Sequence, residues 1–167
     1  VENAIKLVFA SIYSSESRAY FNAIDYMIEE EKMAVIIQEV IGNEHNGRYY
    51  PEISGVAQSY NFYPFSYIQP EDGFAVTAIG LGAYVVGGEK THRFSPAYPK
   101  LQLASTRDKI KASQRYFYGV NMLAQDYDLY RDGENAAIKA YDISEAERDG
   151  TLEYTASVYD FMNDQIT

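Results

Sequence analysis

Apolar residues in the first part of the chain recur at the spacing of an amphipathic helix. Within residues 3–13, four of them fall on one helical face: Ile5, Val8, Phe9 and Ile12. A serine-rich stretch follows and offers N-caps for a second helix: Ser14, Ser15 and Ser17. The apolar pattern of this second helix continues to Met27. The chain is therefore predicted to begin with two helices.

The pattern then changes to that of β-strands. Met33–Ile41 is rich in β-branched residues and is predicted to be a strand buried on both faces. Asn46-Gly47 is a strong signal for a hairpin turn. Ile53–Ser59 and Phe74–Ile79 are predicted as two further strands.

A loop and a glycine segment follow these strands. Residues 60–72 carry five aromatic residues and two prolines, which predicts a packed loop. Gly80-Leu81-Gly82 lies between the apolar runs Phe74–Ile79 and Tyr84–Val86, both too short for helices of their own. Glycines at a strand–turn boundary indicate a positive φ or a close approach of the backbone to another group.

The last third of the chain gives weaker signals. Ser105–Lys111 is predicted as a short helix, while Ser113–Met122 fits a strand or a helix. Ala136–Ile143 and Leu152–Tyr159 alternate like a pair of strands, and Ser144 begins a capping box for one helical turn between them. The predicted fold class is α+β, with N-terminal helices and a mostly antiparallel sheet.

Composition narrows the classes of function. With 167 residues the chain is long enough for one domain with a proper core. Its net charge of −10 and its scattered basic residues disfavour nucleic-acid binding. The absence of cysteine excludes disulfides and thiolate chemistry. No apolar run approaches the roughly 18 residues of a membrane span, so no membrane partner is predicted.

Generic catalytic signatures are missing from the glycine segment and its surroundings. The segment lacks the glycine spacing of a dinucleotide fingerprint, and Lys90-Thr91 follows Glu89 where a P-loop requires a glycine. His45 and His92 are the two histidines, and neither has a second ligand at metal spacing. The residues alone therefore predict no catalytic side chain and no metal ligand.

Three segments, taken in order, resemble a known family. They are Ala4–Tyr13 followed by Arg18-Ala19, Met33–Ile41 followed by Ser54-Gly55-Val56, and Gly80-Leu81-Gly82 followed by Val85-Val86-Gly87-Gly88. Together they resemble the nucleotide-binding domain of phosphoenolpyruvate synthases and pyruvate phosphate dikinases, also called the PEP/pyruvate-binding domain. The resemblance covers about residues 3–95, and it depends on order and spacing more than on any single motif.

The resemblance implies an ATP-grasp fold, in which two subdomains close on ATP and this chain contains the second one. It implies a nucleotide site lined by Gln38, Glu39, Val40, Ile41, Ser54, Gly55, Gly80, Leu81 and Gly82. The strand at Gln38–Ile41 would run along the adenine, while the serine and glycine segments would lie under the phosphates. Mg²⁺ is implied as well, because such enzymes handle ATP as its metal complex.

The same resemblance implies a cytoplasmic enzyme in which ATP phosphorylates a histidine, which then phosphorylates pyruvate to give phosphoenolpyruvate. The partners would be ATP, pyruvate or phosphoenolpyruvate, and other domains of the same polypeptide. Residues 1–100 would be the C-terminal part of the ATP-grasp domain, and residues 101–167 a continuation or an extra α+β subdomain. The chain is expected to start inside the domain and to be inactive alone.

Two departures from the family pattern keep other hypotheses open. Ala83 stands where the family has a glutamate after Gly-Leu-Gly, and Asn61 stands at an aspartate position. A methyl group or a neutral amide does not replace a carboxylate beside a polyphosphate. The second hypothesis is therefore a non-catalytic, degenerate module whose aromatic segment Tyr60–Tyr67 contacts a partner. A third, based on tyrosine content, is a sugar-binding surface in a secreted protein.

Overall fold

A computed structural model describes residues 1–24, 27, 31–89, 91–101, 104–125, 128–133 and 137–166. The helices are α1 (Glu2–Ser11), α2 (Ser15–Ala23), α3 (Ala83–Val86), α4 (Thr106–Lys111), α5 (Leu129–Asp132) and α6 (Ile143–Arg148). The strands are β1 (Asn43–His45), β2 (Arg48–Tyr50), β3 (Ser54–Gln58), β4 (Phe74–Ala78), β5 (His92–Phe94), β6 (Tyr116–Asn121), β7 (Ile138–Asp142), β8 (Tyr159–Asp160) and β9 (Gln165–Ile166). These elements form two compact units, Val1–Val40 with Gln125–Ala136, and Ile41–Ala124 with Ala137–Thr167.

The first unit contains the two helices predicted at the start of the chain. Ser14 is the N-cap of α2, and its side chain accepts a hydrogen bond from the Ser17 backbone N–H at 3.2 Å. This bond satisfies one of the N–H groups that the first turn of a helix leaves unpaired. The helix ends at Ala23, four residues before the predicted Met27.

The strand predicted at Met33–Ile41 is wrong. Residues 31–42 contain no strand, and Ile36 and Ile37 are 83% and 71% exposed. β-Branched residues fit the pleated, half-buried surface of a sheet. A segment rich in them forms a strand only where a neighbouring strand pairs with it. No sheet within the described residues includes this segment.

The second unit is built from antiparallel sheets, as predicted. One has the strand order β1-β2-β6-β7, another β3-β4-β5, and β8 pairs with β9. The Asn46-Gly47 hairpin is confirmed, because His45 pairs with Arg48 and both turn residues have positive φ angles, +49° and +78°. A two-residue turn of this kind matches the twist of the strands that it joins.

The hydrophobic core of the second unit lies against the four-stranded sheet. Tyr50 and Phe117 are fully buried, and their ring centroids are 4.6 Å apart. Ile79 and Ala146 complete this buried cluster. The core therefore joins β2, β6, the residue after β4, and α6.

The predictions for the last third of the chain had mixed outcomes. The short helix predicted at Ser105–Lys111 is confirmed as α4, with Ser105 as its N-cap, and the ambiguous segment 113–122 contains strand β6. The predicted pairing of Ala136–Ile143 with Leu152–Tyr159 is wrong, since β7 pairs with β6 and Leu152–Tyr154 is a 3₁₀ turn. The alternation of apolar and polar residues in Ala136–Ile143 indicated a strand, but it did not identify the strand that pairs with it.

Two local predictions need correction. The short run Tyr84–Val86, predicted to be too short for a helix of its own, lies in the helical turn α3 (Ala83–Val86). The N-cap of α6 is Asp142, whose side chain accepts from the Ser144 N–H at 2.9 Å, so Ser144 lies inside the helix and is not its cap.

Candidate functional site

Gly80 is the first residue of the glycine turn and packs against the hydrophobic core. Its φ is +83°, and a Cβ placed there would lie 2.6 Å from the Tyr118 carbonyl oxygen and 2.9 Å from the Phe117 Cβ. Both reasons expected for a glycine at this boundary, a positive φ and a close approach, therefore hold at this position. The approaching group is strand β6 of the chain itself.

Backbone hydrogen bonds fix the first half of the turn. The Gly80 N–H donates to the Pro51 carbonyl at 3.1 Å, and the Leu81 N–H donates to the Tyr118 carbonyl at 2.8 Å. The turn is thus held between the β2–β3 connection and β6. Its shape is set by contacts within the unit.

The second half of the turn is open. Gly82 has an ordinary φ of −58°, and a Cβ built on it would meet nothing within 4 Å. Within the part of the chain that the structure describes, the N–H groups of Gly82 and Ala83 donate no hydrogen bond. Neither backbone conformation nor a neighbouring group of the described chain explains why residue 82 is a glycine.

Ser54 and Gly55 lie on the strand beside the turn. Ser54 pairs with Ala78 and Gly55 with Thr77, so both lie next to the last residues of β4. A Cβ on Gly55 would approach the Val76 carbonyl oxygen to 2.3 Å, which explains this glycine by sheet packing. The Ser54 Oγ is buried and has no hydrogen-bond partner among the described residues.

The remaining residues of the predicted site belong to the exposed segment. Gln38, Glu39 and Val40 are in the first unit, and Ile41 is in the second. All four are exposed, and Val40 and Ile41 retain 50% and 74% of their accessible surface. The structure brings together Ser54, Gly55 and Gly80–Gly82, while a shared site with these four stays a prediction.

A cluster of tyrosines beside the turn was not predicted. The ring centroids of Tyr84 and Tyr116 are 5.3 Å apart, and those of Tyr116 and Tyr118 are 5.6 Å apart. A hydrogen bond to Glu89, followed by burial, raises the pKa of Tyr116. Burial, followed by the charge of Glu89, raises the pKa of Tyr84. Alternation of Tyr116 and Tyr118 along a strand is the signal that could have placed them on one face.

The most connected polar group of the second unit is the Asp149 carboxylate, which was also missed. Arg48 binds it through two nitrogens at 2.7 and 3.2 Å, Asn46 donates at 2.6 Å, and the Tyr50 hydroxyl donates at 2.8 Å. Burial raises the pKa of Tyr50 to about 12, so its hydroxyl keeps its proton at neutral pH. With its oxygens engaged inside the unit, Asp149 serves the fold and not a ligand.

Asn61, one of the two departures, has a role inside the fold. It is 3% exposed, and its Oδ1 accepts hydrogen bonds from Arg93 and from the Tyr63 N–H. Together with buried Ile68, it anchors a loop whose aromatic side chains are exposed: Tyr60, Phe62, Tyr63, Phe65 and Tyr67. The prediction of a packed loop therefore holds for its anchors and fails for its aromatic rings.

Within the described ranges, no group of three or more histidine and carboxylate side chains is arranged to hold a metal ion. Among the helices of the described residues, none has the length and apolar content needed to cross a bilayer.

The sequence of the chain matches that of a known nucleotide-binding domain. The sequence model of the pyruvate phosphate dikinase AMP/ATP-binding domain matches residues 1–151. The chain belongs to this family, and it carries a nucleotide-binding region of the pyruvate phosphate dikinase type whose ligand is ATP or AMP. No curated protein and no solved structure matches the chain.

Proposed function

We propose that the chain supplies part of the MgATP site of a phosphotransferase that makes or uses phosphoenolpyruvate. In this reaction ATP phosphorylates a histidine, which passes a phosphoryl group to pyruvate. The observation that carries the placement of the site is Gly82, a glycine with ordinary φ and open space where its side chain would be. Absence of a side chain there lets a ligand approach the backbone closely.

The residues around Gly82 fit the polyphosphate of ATP. The N–H groups of Gly82 and Ala83 are available as donors, and phosphate oxygens are strong acceptors. Ser54 contributes a buried hydroxyl without a hydrogen-bond partner among the described residues. Mg²⁺ is carried by the nucleotide, because its phosphate oxygens are the ligands that this ion prefers.

The exposed segment Gln38–Ile41 would complete the site on the adenine side. The apolar side chains of Val40 and Ile41 retain 50% and 74% of their accessible surface, and an adenine ring is a flat partner for such a surface. The main chain of Gln38 and Glu39 would supply the hydrogen bonds to the edge of the base. This part of the proposal depends on the family resemblance.

The proposal extends to domain organisation. Residues 1–100 would be the C-terminal part of an ATP-grasp domain, and residues 101–167 an additional subdomain of the same cytoplasmic enzyme. Contacts from β6 to the glycine turn give these later residues a role in the nucleotide site. Pyruvate or phosphoenolpyruvate and the phosphorylated histidine would be bound by other domains.

A second candidate function is a degenerate module with a structural or regulatory role. It is favoured by Asn61, which is buried and bonded to Arg93 and so is not available to a metal-bound phosphate. Ala83 adds no carboxylate at the turn. The exposed aromatic loop at Tyr60–Tyr67 would then contact another domain.

The first test is calorimetric titration of MgATP into the full-length protein, with the 167-residue chain alongside. We expect binding by the full-length protein and a loss of at least about tenfold in affinity for Gly82→Val, because the added side chain occupies the space of the ligand. The denaturation midpoint should stay unchanged, since that space holds no atom of the described chain.

Ala140→Val is the matched control, because it adds a similar bulk at an exposed position of β7. It should bind MgATP like the wild type. Absence of binding by the wild-type full-length protein would favour the degenerate module. Wild-type affinity in Gly82→Val would instead contradict the placement of the nucleotide at Gly82.

A further inference from the structure

The side chain of Gln114 lies against the backbone of Ile79, the residue just before the glycine turn. Its Oε1 accepts from the Ile79 N–H, and its Nε2 donates to the Ile79 carbonyl, each at 2.9 Å. The same Nε2 donates to the Tyr116 carbonyl at 2.9 Å. One amide thus satisfies three backbone groups and uses both of its own N–H donors.

Ile79 needs this partner because the sheet ends beside it. The pairing of β3 with β4 stops at Ser54 and Ala78, one residue earlier. An unpaired backbone group that is shielded from water costs about as much as a lost hydrogen bond. The Gln114 amide replaces the missing strand, because a primary amide presents the same donor and acceptor as a peptide group.

The side chain of Ile79 is held as firmly as its backbone. It is 7% exposed and belongs to the core cluster with Tyr50 and Phe117. With the side chain in the core and the backbone on Gln114, the direction in which the chain enters Gly80 is fixed. The open half of the turn begins two residues later, at Gly82.

We infer that Gln114 is a positioning residue for the nucleotide site, setting the orientation of the Gly80–Gly82 turn through Ile79. The inference rests on the function proposed above. It gives a specific task to a residue in the part of the chain that sequence patterns left without a role. Gln114 touches no ligand in this scheme and acts through the backbone.

The test replaces Gln114 by methionine, which has a similar length and no amide. In the full-length Gln114→Met variant, MgATP affinity should fall about tenfold at a temperature well below unfolding, because three backbone groups lose their partner. Amide hydrogen exchange at Ile79 should become faster in the same sample. Affinity in the folded state is a readout that a purely structural role would leave unchanged.

Gln58→Met is the matched control. Gln58 is exposed on β3 at the end remote from Ser54, where it pairs with Phe74. This variant should keep wild-type affinity and wild-type exchange at Ile79. If Gln114→Met does not fold, Gln114→Glu keeps the acceptor for the Ile79 N–H, removes both donors, and should also weaken MgATP binding.

The outcomes separate this inference from the proposed function. If the wild type binds MgATP and a folded Gln114 variant binds it equally well, the positioning role is wrong and the proposed function stands. If the wild-type full-length protein binds no nucleotide, the proposed function fails and the inference fails with it. Weaker binding in the Gln114 variant with an unaffected control supports both.

Discussion

The glycine turn and residues 38–41 of the segment Met33–Ile41 were predicted from one resemblance to line the same nucleotide, yet the turn and this segment differ sharply in structure. The first half of the turn is held by hydrogen bonds to Pro51 and Tyr118 and packs against Phe117 of the core. The other segment has no strand and exposes Ile36 and Ile37. A turn defined by backbone constraints is formed by the fold, whereas a strand requires a partner.

The largest expected effect is a loss of stability on substitution in the first half of the glycine turn. Gly80→Ala should destabilise the second unit by about 3 kcal/mol, because the left-handed conformation costs roughly 1–2 kcal/mol and overpacking roughly 1–3 kcal/mol. The added Cβ would meet the Tyr118 carbonyl oxygen at 2.6 Å. Urea denaturation measures the loss, and a change below about 0.5 kcal/mol would contradict the geometry of the turn.

The next largest expected effect is a loss of stability when the Asp149 carboxylate is removed. Asp149→Asn should cost about 2 kcal/mol, because the variant keeps the shape but loses the charge that binds the partly buried Arg48. Arg48 and Tyr50 both bind this carboxylate, and Tyr50 packs on Phe117, which lies behind Gly80. Urea denaturation at pH 7 measures the cost.

The pH dependence of that cost has a defined sign. Burial alone would raise the pKa of Asp149, but hydrogen bonds from Arg48, Asn46 and Tyr50 outweigh it and lower the pKa. The stabilisation is therefore complete above the unfolded pKa of about 3.9 and is lost as pH falls through the folded value. The stability difference between wild type and Asp149→Asn should shrink below about pH 4 and stay constant from pH 5 to 8.

The smallest expected effect is that of a substitution in the exposed segment Gln38–Ile41. Gln38→Ala should change the free energy of unfolding by less than about 0.5 kcal/mol, since Gln38 is exposed. It should weaken MgATP binding only a few-fold, because the proposed contact is made by the main chain. Gln165→Ala, at an exposed position of β9, is the control. Unchanged affinity in Gln38→Ala would count against a nucleotide contact at this segment.

Sequence patterns predicted the features whose causes are local. Ser14 caps α2 through a bond to the residue three positions later, and both residues of the Asn46-Gly47 turn have positive φ angles. Gly80 belongs to the same class, because its positive φ disfavours any residue with a side chain. Such constraints can be seen in a short window of sequence.

The features that were missed depend on distant residues. Arg48 and Asp149 are 101 positions apart, and each is an ordinary surface residue type in its own window. Gln114 is 35 positions from Ile79, and only the end of the β3–β4 pairing explains why its amide is needed there. The predicted strand at Met33–Ile41 failed for the same reason, because propensity does not specify a neighbour.

The distance between Ile79 and Gln114 also sets an order of events during translation. A ribosome adds about 5–20 residues per second, so the 35 residues between them take about 2 to 7 seconds to make. Throughout that interval the nascent chain has the glycines of the turn but not the strand that shapes them. The glycine turn is therefore completed late, when the polypeptide has been made well past Gly82.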